Sequence, residues 1–442
     1  MKDFAISDHP RVAAQLARLG ALSVPQGRLG LEIIEGLLDR LGNPQRRLPP
    51  VFHVAGTNGK GSTCTYLRHM LEAQGLSVHS ATKPHLVRYN ERIRLNGALI
   101  SDDHLADLLA RVLDANEAGG DLGPSFFEVT TAAIFLAFAE TPADACVIEV
   151  GLGGRLDATN VIPDPLVTGI ATLGIDHEGF LLRPEDGAPA DPLARIAWEK
   201  AGITRPHAPL VTLDYPPRAE KQIAALTAAS GAPWLRRGRD WSAQIGDTIA
   251  YRDAAGTLDL PLPMLAGRHQ AENAALAVAM LRAQSRLTVT PEAMAQGIRA
   301  ARWPARLQLL NEGPLVALAR RANPTREVWL DGGHNPDAGA AIARHFATRP
   351  PVHLIMGMLA NKDPSAIVTP LTDRLLSVSV VPAPGHDAHT PEDFAAHTPL
   401  PVRPCDDVEA AIAALPEQGD VLICGSLYLA GDVLRRNLEF PD

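Results

Sequence analysis

Val51-Phe52-His53-Val54-Ala55-Gly56-Thr57-Asn58-Gly59-Lys60-Gly61-Ser62 is the stretch from which the fold is read. Val51 to Ala55 is an apolar run of strand length. It enters a glycine-rich loop and then an amphipathic segment, Ser62 to Gln74, with Leu67, Met70 and Leu71 at helical spacing. Strand, loop and helix in that order turn backbone N–H groups and the positive helix end toward one point, where a lysine can meet phosphate oxygens. The stretch therefore predicts an anion site. It is not the common nucleotide-binding pattern, which places Gly six residues before the Lys and Ser or Thr directly after it. Here Val54 holds the first position and Gly61 separates Lys60 from Ser62.

With 442 residues and 46% hydrophobic content, the chain is long enough for two packed cores. No apolar run reaches membrane-span length, and Met1 to Pro10 lacks the basic and apolar regions of an export signal. The four cysteines, Cys64, Cys146, Cys405 and Cys424, are widely spaced and read as reduced packing residues of a cytoplasmic protein; a monomer without membrane partners is the expectation. A net charge of −9 argues against nucleic-acid binding. Anionic substrates would need locally concentrated positive charge, and Lys60, Lys83, Arg88, Arg92 and Arg94 lie close in sequence. A solvated basic face is the alternative for each.

Arg11 to Leu19 and Gly30 to Leu41 read as lead-in helices, the second stopped by Gly42, Asn43 and Pro44. Gly75 closes the helix after the loop and Leu76 to Ala81 forms the next strand, giving a β-α-β unit and a parallel sheet. Ser125 and Glu128 have capping-box spacing before an apolar helix through Phe138. Ala145 to Val150 is a short strand that contains Glu149, a carboxylate that needs a partner or a metal there. Ligands of open α/β sheets collect beyond the carboxyl strand ends, so Glu149 and Lys60 are expected to face one crevice. Val167 to Gly174 is the following strand, with His177 just beyond it. Arg183 to Pro192 reads as a surface loop, and Leu210 to Leu265 as short strands and turns. Trp303-Pro304-Ala305-Arg306 marks a linker, and the strands Val328 to Asp331, Val352 to Met356, Leu376 to Val381 and Val421 to Cys424 alternate with helices in a second, Rossmann-like domain. The expected division is 1–300, a linker at 301–308, and 309–442.

Several of these stretches together resemble the Mur ligase superfamily, and within it the folylpolyglutamate synthases and their bifunctional dihydrofolate synthase relatives. G-T-N-G-K-G-S at Gly56–Ser62, P-H-L-V-R-Y-N-E-R-I from Pro84, E-V-G-L-G-G-R-L-D-A-T-N from Glu149, I-A-W-E-K-A-G-I from Ile196, G-R-H-Q-A-E-N from Gly267, W-P-A-R from Trp303 and D-G-G-H-N-P-D from Asp331 stand in the family's order. The resemblance implies an α/β fold: a P-loop Mur-ligase-type ATPase domain with a parallel-rich sheet, then a smaller Rossmann-like domain. It implies an ADP-forming ligase that joins L-glutamate to dihydropteroate and folates through an acyl phosphate, in a cleft between the domains.

The roles it carries over are specific. Gly56, Thr57, Asn58, Gly59, Lys60, Gly61 and Ser62 hold the ATP phosphates, Asn273 reads the adenine, Arg306 reaches the phosphates, and Asp331 and His334 meet the ribose and phosphates. Ser62, Glu149, His177 and a carbamylated Lys200 hold two Mg²⁺ ions. Pro84, His85, Phe127, Asp157 and Ala158 bind the pterin. Lys60, Glu149, His177 and Lys200 carry the catalysis. The chain departs from the pattern at Lys83, where a small hydroxyl residue is usual, at Ala305, where glycine is usual, and in the added length of Arg183 to Pro192. Readings from the residues alone stay open beside these: Phe127 as a core aromatic, Lys200 as a surface lysine, Asn273 as part of a helix-start network. The competing functions are polyglutamylation alone and a non-catalytic nucleotide or folate sensor; the sensor would be expected to lack Lys60, Glu149, His177 or Lys200.

Overall fold

The computed structural model describes residues 7–22 and 30–441. Residues 1–6, part of the stretch read for an export signal, lie outside it. Two compact units emerge, one of residues 1–83, 88–264 and 270–301, the other of residues 84–87, 265–269 and 302–442. Among the described residues no helix is long and apolar enough to cross a membrane.

The first unit is built on β1 (Val51–Ala55), β2 (Val78–Ala81), β3 (Ile93–Leu95), β4 (Ala98–Leu99), β5 (Ala145–Glu149), β6 (Val167–Ile170), β7 (Leu210–Thr212) and β8 (Trp234–Arg236). Their order in the sheet is β4-β3-β2-β5-β1-β6-β7-β8, parallel except where β3 and β4 turn back. Strands β1, β2, β5 and β6 are buried along their whole length, as expected of a sheet covered on both faces. The chain runs from β1 to one side, returns through β5, and crosses to β6 on the other side. The strand order thus reverses around β1, and a crevice opens beyond its carboxyl end.

The helix after β1 starts at Lys60 and runs to Ala73, its amphipathic face packed with Leu67, Met70 and Leu71 buried. Helices Pro10–Ala21 and Glu32–Arg40 bury Val12, Leu16, Leu19, Ile34, Leu37 and Leu38 in a core shared with helices Asp102–Ala118 and Phe126–Glu140. The capping box at Ser125 is present: its hydroxyl accepts from Glu128 N and its own N–H donates to Glu128 Oε2 at 2.8 Å. Such a cap contributes about 1 kcal/mol.

Two expectations change. β6 ends at Ile170, not Gly174, because Thr172 and Gly174 bond to Thr57 of the glycine-rich loop instead of continuing the sheet. Residues 210–265 are not only strands and turns, since Pro217–Ser230 is a helix with proline in its first turn and Gly231 at φ 74° after it. The remainder includes an antiparallel sheet of β9 (Trp241–Ile245), β10 (Thr248–Asp253) and β11 (Gly256–Pro261).

The second unit carries β12 (Gln308–Leu309), β13 (Val328–Leu330), β14 (Val352–Met356), β15 (Leu375–Val380), β16 (Val402–Pro404) and β17 (Asp420–Cys424) in the order β12-β13-β17-β14-β15-β16. β13 to β17 are parallel and β12 runs opposite to β13, with helices between them in a Rossmann-like alternation.

Candidate active site

Backbone bonds from Val150 N to Val54 O and from Ala171 N to Ala55 O seat the glycine-rich loop between the ends of β5 and β6. Gly59 caps the helix at φ 82°, and a Cβ there would lie 2.4 Å from Asn273 Oδ1. Glycine therefore serves both the left-handed turn and the approach of Asn273, which is buried against the loop. Lys60 Nζ donates to Gly56 O at 3.0 Å and Thr57 O at 3.2 Å, folded back over its own loop. Lys200 Nζ, from helix Pro192–Ala201, donates to the same Gly56 carbonyl at 2.9 Å. Lys200 is not a surface lysine but 4% exposed. Burial first, and then the charge of Lys60, lowers its pKa to about 7.

Glu149 is buried at the end of β5 and accepts from Lys83 N at 2.9 Å through Oε2. Ser62 is buried in the first turn of the loop helix. His177 is half-buried with φ 53°, capping the short helix Glu178–Leu181, and its Nε2 stands 3.8 Å from Asp176 Oδ2. Asp176 also interacts electrostatically with Lys200. Among the described residues no three His, Cys, Asp or Glu side chains gather as a metal cage. The donors around the loop instead suit Mg²⁺, which takes one or two carboxylates and keeps waters and substrate phosphates as its other ligands.

Phe127, in the first turn of helix Phe126–Glu140, and Asp157 meet at Gly151. A Cβ on Gly151 would lie 2.2 Å from Phe127 Cζ and 3.0 Å from Asp157 Oδ2. Asp157 Oδ1 accepts from Thr159 N at 3.0 Å and the Thr159 hydroxyl at 2.5 Å, and its Oδ2 accepts from Leu152 N at 2.8 Å. Since that hydroxyl donates to Asp157, it accepts from His53 Nε2–H at 2.8 Å. His53 is buried, and burial lowers its pKa to about 3, so it stays neutral in this relay. Ala158 is buried in the turn that Asp157 caps. Lys83 Nζ lies 4.1 Å over the centre of the Phe127 ring.

The stretch Arg183 to Pro192 is more than a surface loop. Glu185 binds Arg155 and Arg195 at 2.7 Å each, both arginines also reach Glu199, and both guanidinium groups lie over the Trp198 ring. The added loop is thereby tied to the helix that carries Lys200 and to the Gly151–Asp157 turn.

In the second unit, Asp331 accepts from Leu307 N at 2.7 Å and Gly333 N at 2.6 Å, and burial raises its pKa. Arg306 donates to Ala305 O at 2.8 Å, and His334 Nδ1 lies 3.0 Å from Gly332 O. Ala305, buried at φ 54°, holds the left-handed conformation that glycine adopts without strain. Pro84 and His85 group with this unit, while Phe127, Asp157 and Ala158 belong to the first.

No protein-family model matches the chain. The folylpolyglutamate synthase of Lacticaseibacillus casei is 36% identical over 418 residues, covering 90% of this chain and 92% of its own. The chain belongs to the folylpolyglutamate synthase/dihydrofolate synthase family. The dihydrofolate synthase/folylpolyglutamate synthase of Escherichia coli K12 is 34% identical over 92% of this chain and 90% of its own. Among solved structures, Escherichia coli FolC in complex with DHPP and ADP superposes with a TM-score of 0.82 at 32% identity, covering 96% of this chain and 97% of its own. The bifunctional enzyme of Yersinia pestis, complexed with AMPPNP and Mn ion, gives 0.81 at 31%, covering 98% and 99%.

Sequence reasoning on this family member passed over two residues of the site, Asp176 and His53. Asp176 carried a usable signal, an acidic side chain beside His177 in the loop beyond a parallel strand. His53 carried only its oddity, one polar residue inside an otherwise apolar strand.

Proposed function

We propose that this ligase joins L-glutamate both to dihydropteroate, forming dihydrofolate, and to folylglutamates, with ATP as the energy source. The observation that carries the reading is the convergence of Lys60 and Lys200 on the Gly56 carbonyl, in a glycine-rich loop between the ends of β5 and β6. The Lys60 ammonium and the backbone N–H groups at the start of the loop helix suit a triphosphate, Lys200 is placed beside them to act as its carbamate, and Asn273 is positioned by Gly59 for the base.

A free carboxylate is a poor electrophile. In this reading ATP phosphorylates the acceptor carboxylate, the glutamate amine attacks the acyl phosphate, and phosphate departs. No side chain serves as nucleophile. Lys60 follows the charge onto the transferring phosphoryl group, and Arg306, Asp331 and His334 are assigned the phosphate and ribose contacts in this reading. Ser62, Glu149, His177 and Lys200 as its carbamate would hold two Mg²⁺ ions. Bound there, the ions would neutralise phosphate charge. Phe127, Asp157 and Ala158, with Pro84 and His85, receive the pterin.

The Lys200 assignment has its own test. An amine must be neutral to add CO₂, and a pKa of about 7 makes that form abundant at ordinary pH. Activity of enzyme depleted of CO₂ is expected to fall and to return with bicarbonate, whereas Lys200→Met should be inactive in both. The sign for stability follows from the same shift. The folded state gives up this proton near pH 7, the unfolded state only near about 10.4. Stability of metal-free wild type therefore rises with pH across that window, and Lys200→Met should flatten the rise in chemical denaturation.

The acceptor range is tested by ADP release with ATP, Mg²⁺ and L-glutamate, comparing 7,8-dihydropteroate with tetrahydrofolate and identifying products by mass. Turnover of both is expected. Turnover of tetrahydrofolate alone would assign polyglutamylation only.

A further inference from the structure

Lys83 is the departure from the family's pattern that the function above leaves unused. It follows β2 (Val78–Ala81), and its backbone N–H is held by Glu149 at 2.9 Å. The residue as a whole is half-buried, yet its ammonium nitrogen is closed off from solvent and has no hydrogen-bond partner. Arg155 Nε shares that condition, but its guanidinium is ion-paired through Nη2. Lys83 Nζ is otherwise the one cationic nitrogen so placed among the described residues.

Withdrawing an ammonium from water is costly unless acceptors replace the lost hydration. The Phe127 face, 4.1 Å away, replaces only part of it. The charges of Asp157 and Glu149 also favour the cation, while Arg92 opposes it. None of these gives the three N–H groups an acceptor. The site is thus one oxygen or nitrogen acceptor short, over the face of an aromatic ring and within the field of a carboxylate.

We propose that Lys83 is a specificity-determining residue that donates to the 4-oxo group of the acceptor's pteridine ring and so selects 4-oxo over 4-amino rings. This rests on the proposed placement of the ring against Phe127 and Asp157. A lactam edge presents an oxygen acceptor next to an N–H donor. Lys83 supplies only donors and Asp157 only acceptors, so the pair matches that edge. Asp157 has three bonds within the chain, and a carboxylate offers about four acceptor positions, so one remains for a ring N–H. A 4-amino ring reverses both matches, with an amino group facing the ammonium and a bare ring nitrogen facing the carboxylate. The ammonium now covers one face of Phe127, and its flexible stem lets it move to the rim as a ring stacks there.

The experiment measures kcat/KM for glutamylation of 7,8-dihydrofolate and of 4-amino-4-deoxy-7,8-dihydrofolate by wild type, Lys83→Met, Lys83→Gln and Phe127→Ala. Circular dichroism and ATP affinity check the fold of each. Lys83→Met keeps the stem and removes the donors, and should lower the preference for the 4-oxo acceptor about 10- to 100-fold, mainly through KM. Lys83→Gln, which keeps a donor, should fall between it and wild type. Phe127→Ala should weaken both acceptors alike. An unchanged ratio in Lys83→Met, with Phe127→Ala impaired, overturns the inference and leaves the pterin site standing. An unimpaired Phe127→Ala overturns both the inference and that ring placement. Failure of wild type to glutamylate 7,8-dihydrofolate overturns the inference, and failure with 7,8-dihydropteroate and tetrahydrofolate as well overturns the proposed function itself.

Discussion

Lys60→Ala is expected to lower ADP formation about 10³-fold or more, with the fold retained. Phosphoryl transfer leaves the protein little covalent work, and catalysis is positioning and charge stabilisation, so one cation at the transferring group is worth about 10³- to 10⁵-fold in related chemistries. The bonds from Lys60 Nζ to Gly56 O and Thr57 O lie within a single turn of chain. Their loss costs about 1 kcal/mol of stability, within what a folded domain tolerates. Circular dichroism and thermal melting should therefore match wild type while turnover disappears. Turnover near the wild-type rate would remove the loop from the phosphate site.

Glu149→Gln should reduce turnover about 10²- to 10³-fold, comparable with loss of a single preorganised charge contact. Glutamine retains an oxygen for the Lys83 N–H at nearly the same place, so the effect reports the carboxylate charge and not the loss of the loop anchor. The concentration of Mg²⁺ needed for half-maximal activity should rise, because the proposed metal site loses one hard anionic ligand. An unchanged requirement for Mg²⁺ alongside normal turnover would return Glu149 to a purely structural part, holding the segment after β2.

How far the chain could be read in advance depended on how local each signal was. β1, its glycine loop and the following helix were legible because strand period, loop composition and helical spacing all sit within 24 residues, 51–74. The capping box at Ser125 was legible for the same reason. The end of β6 was not, since its truncation comes from Thr57, more than a hundred residues away in sequence, which takes the backbone partners that a longer strand would use. Helix Pro217–Ser230 was missed although its proline start and Gly231 stop are ordinary helix signals. Its run of alanines offers weak apolar periodicity. In the site, Glu149 announced itself as a carboxylate inside an apolar strand. The burial of Lys200 and its bond to Gly56 O, 144 residues away, needed the tertiary structure, as did the closeness of Lys83 to Phe127. The anchoring of the Arg183 to Pro192 stretch by Arg155 and Arg195 was equally hidden, because its composition reads as solvent-exposed.

The central claim is that ATP activates the acceptor carboxylate for amide formation with glutamate. It is tested most directly by supplying ATP, Mg²⁺ and L-glutamate with 7,8-dihydropteroate labelled with ¹⁸O in its carboxylate, and following both the amide and the phosphate by mass. The account predicts one ADP for each dihydrofolate formed and one labelled oxygen in each phosphate released. Amide formation with unlabelled phosphate, or ADP release without amide, would contradict it.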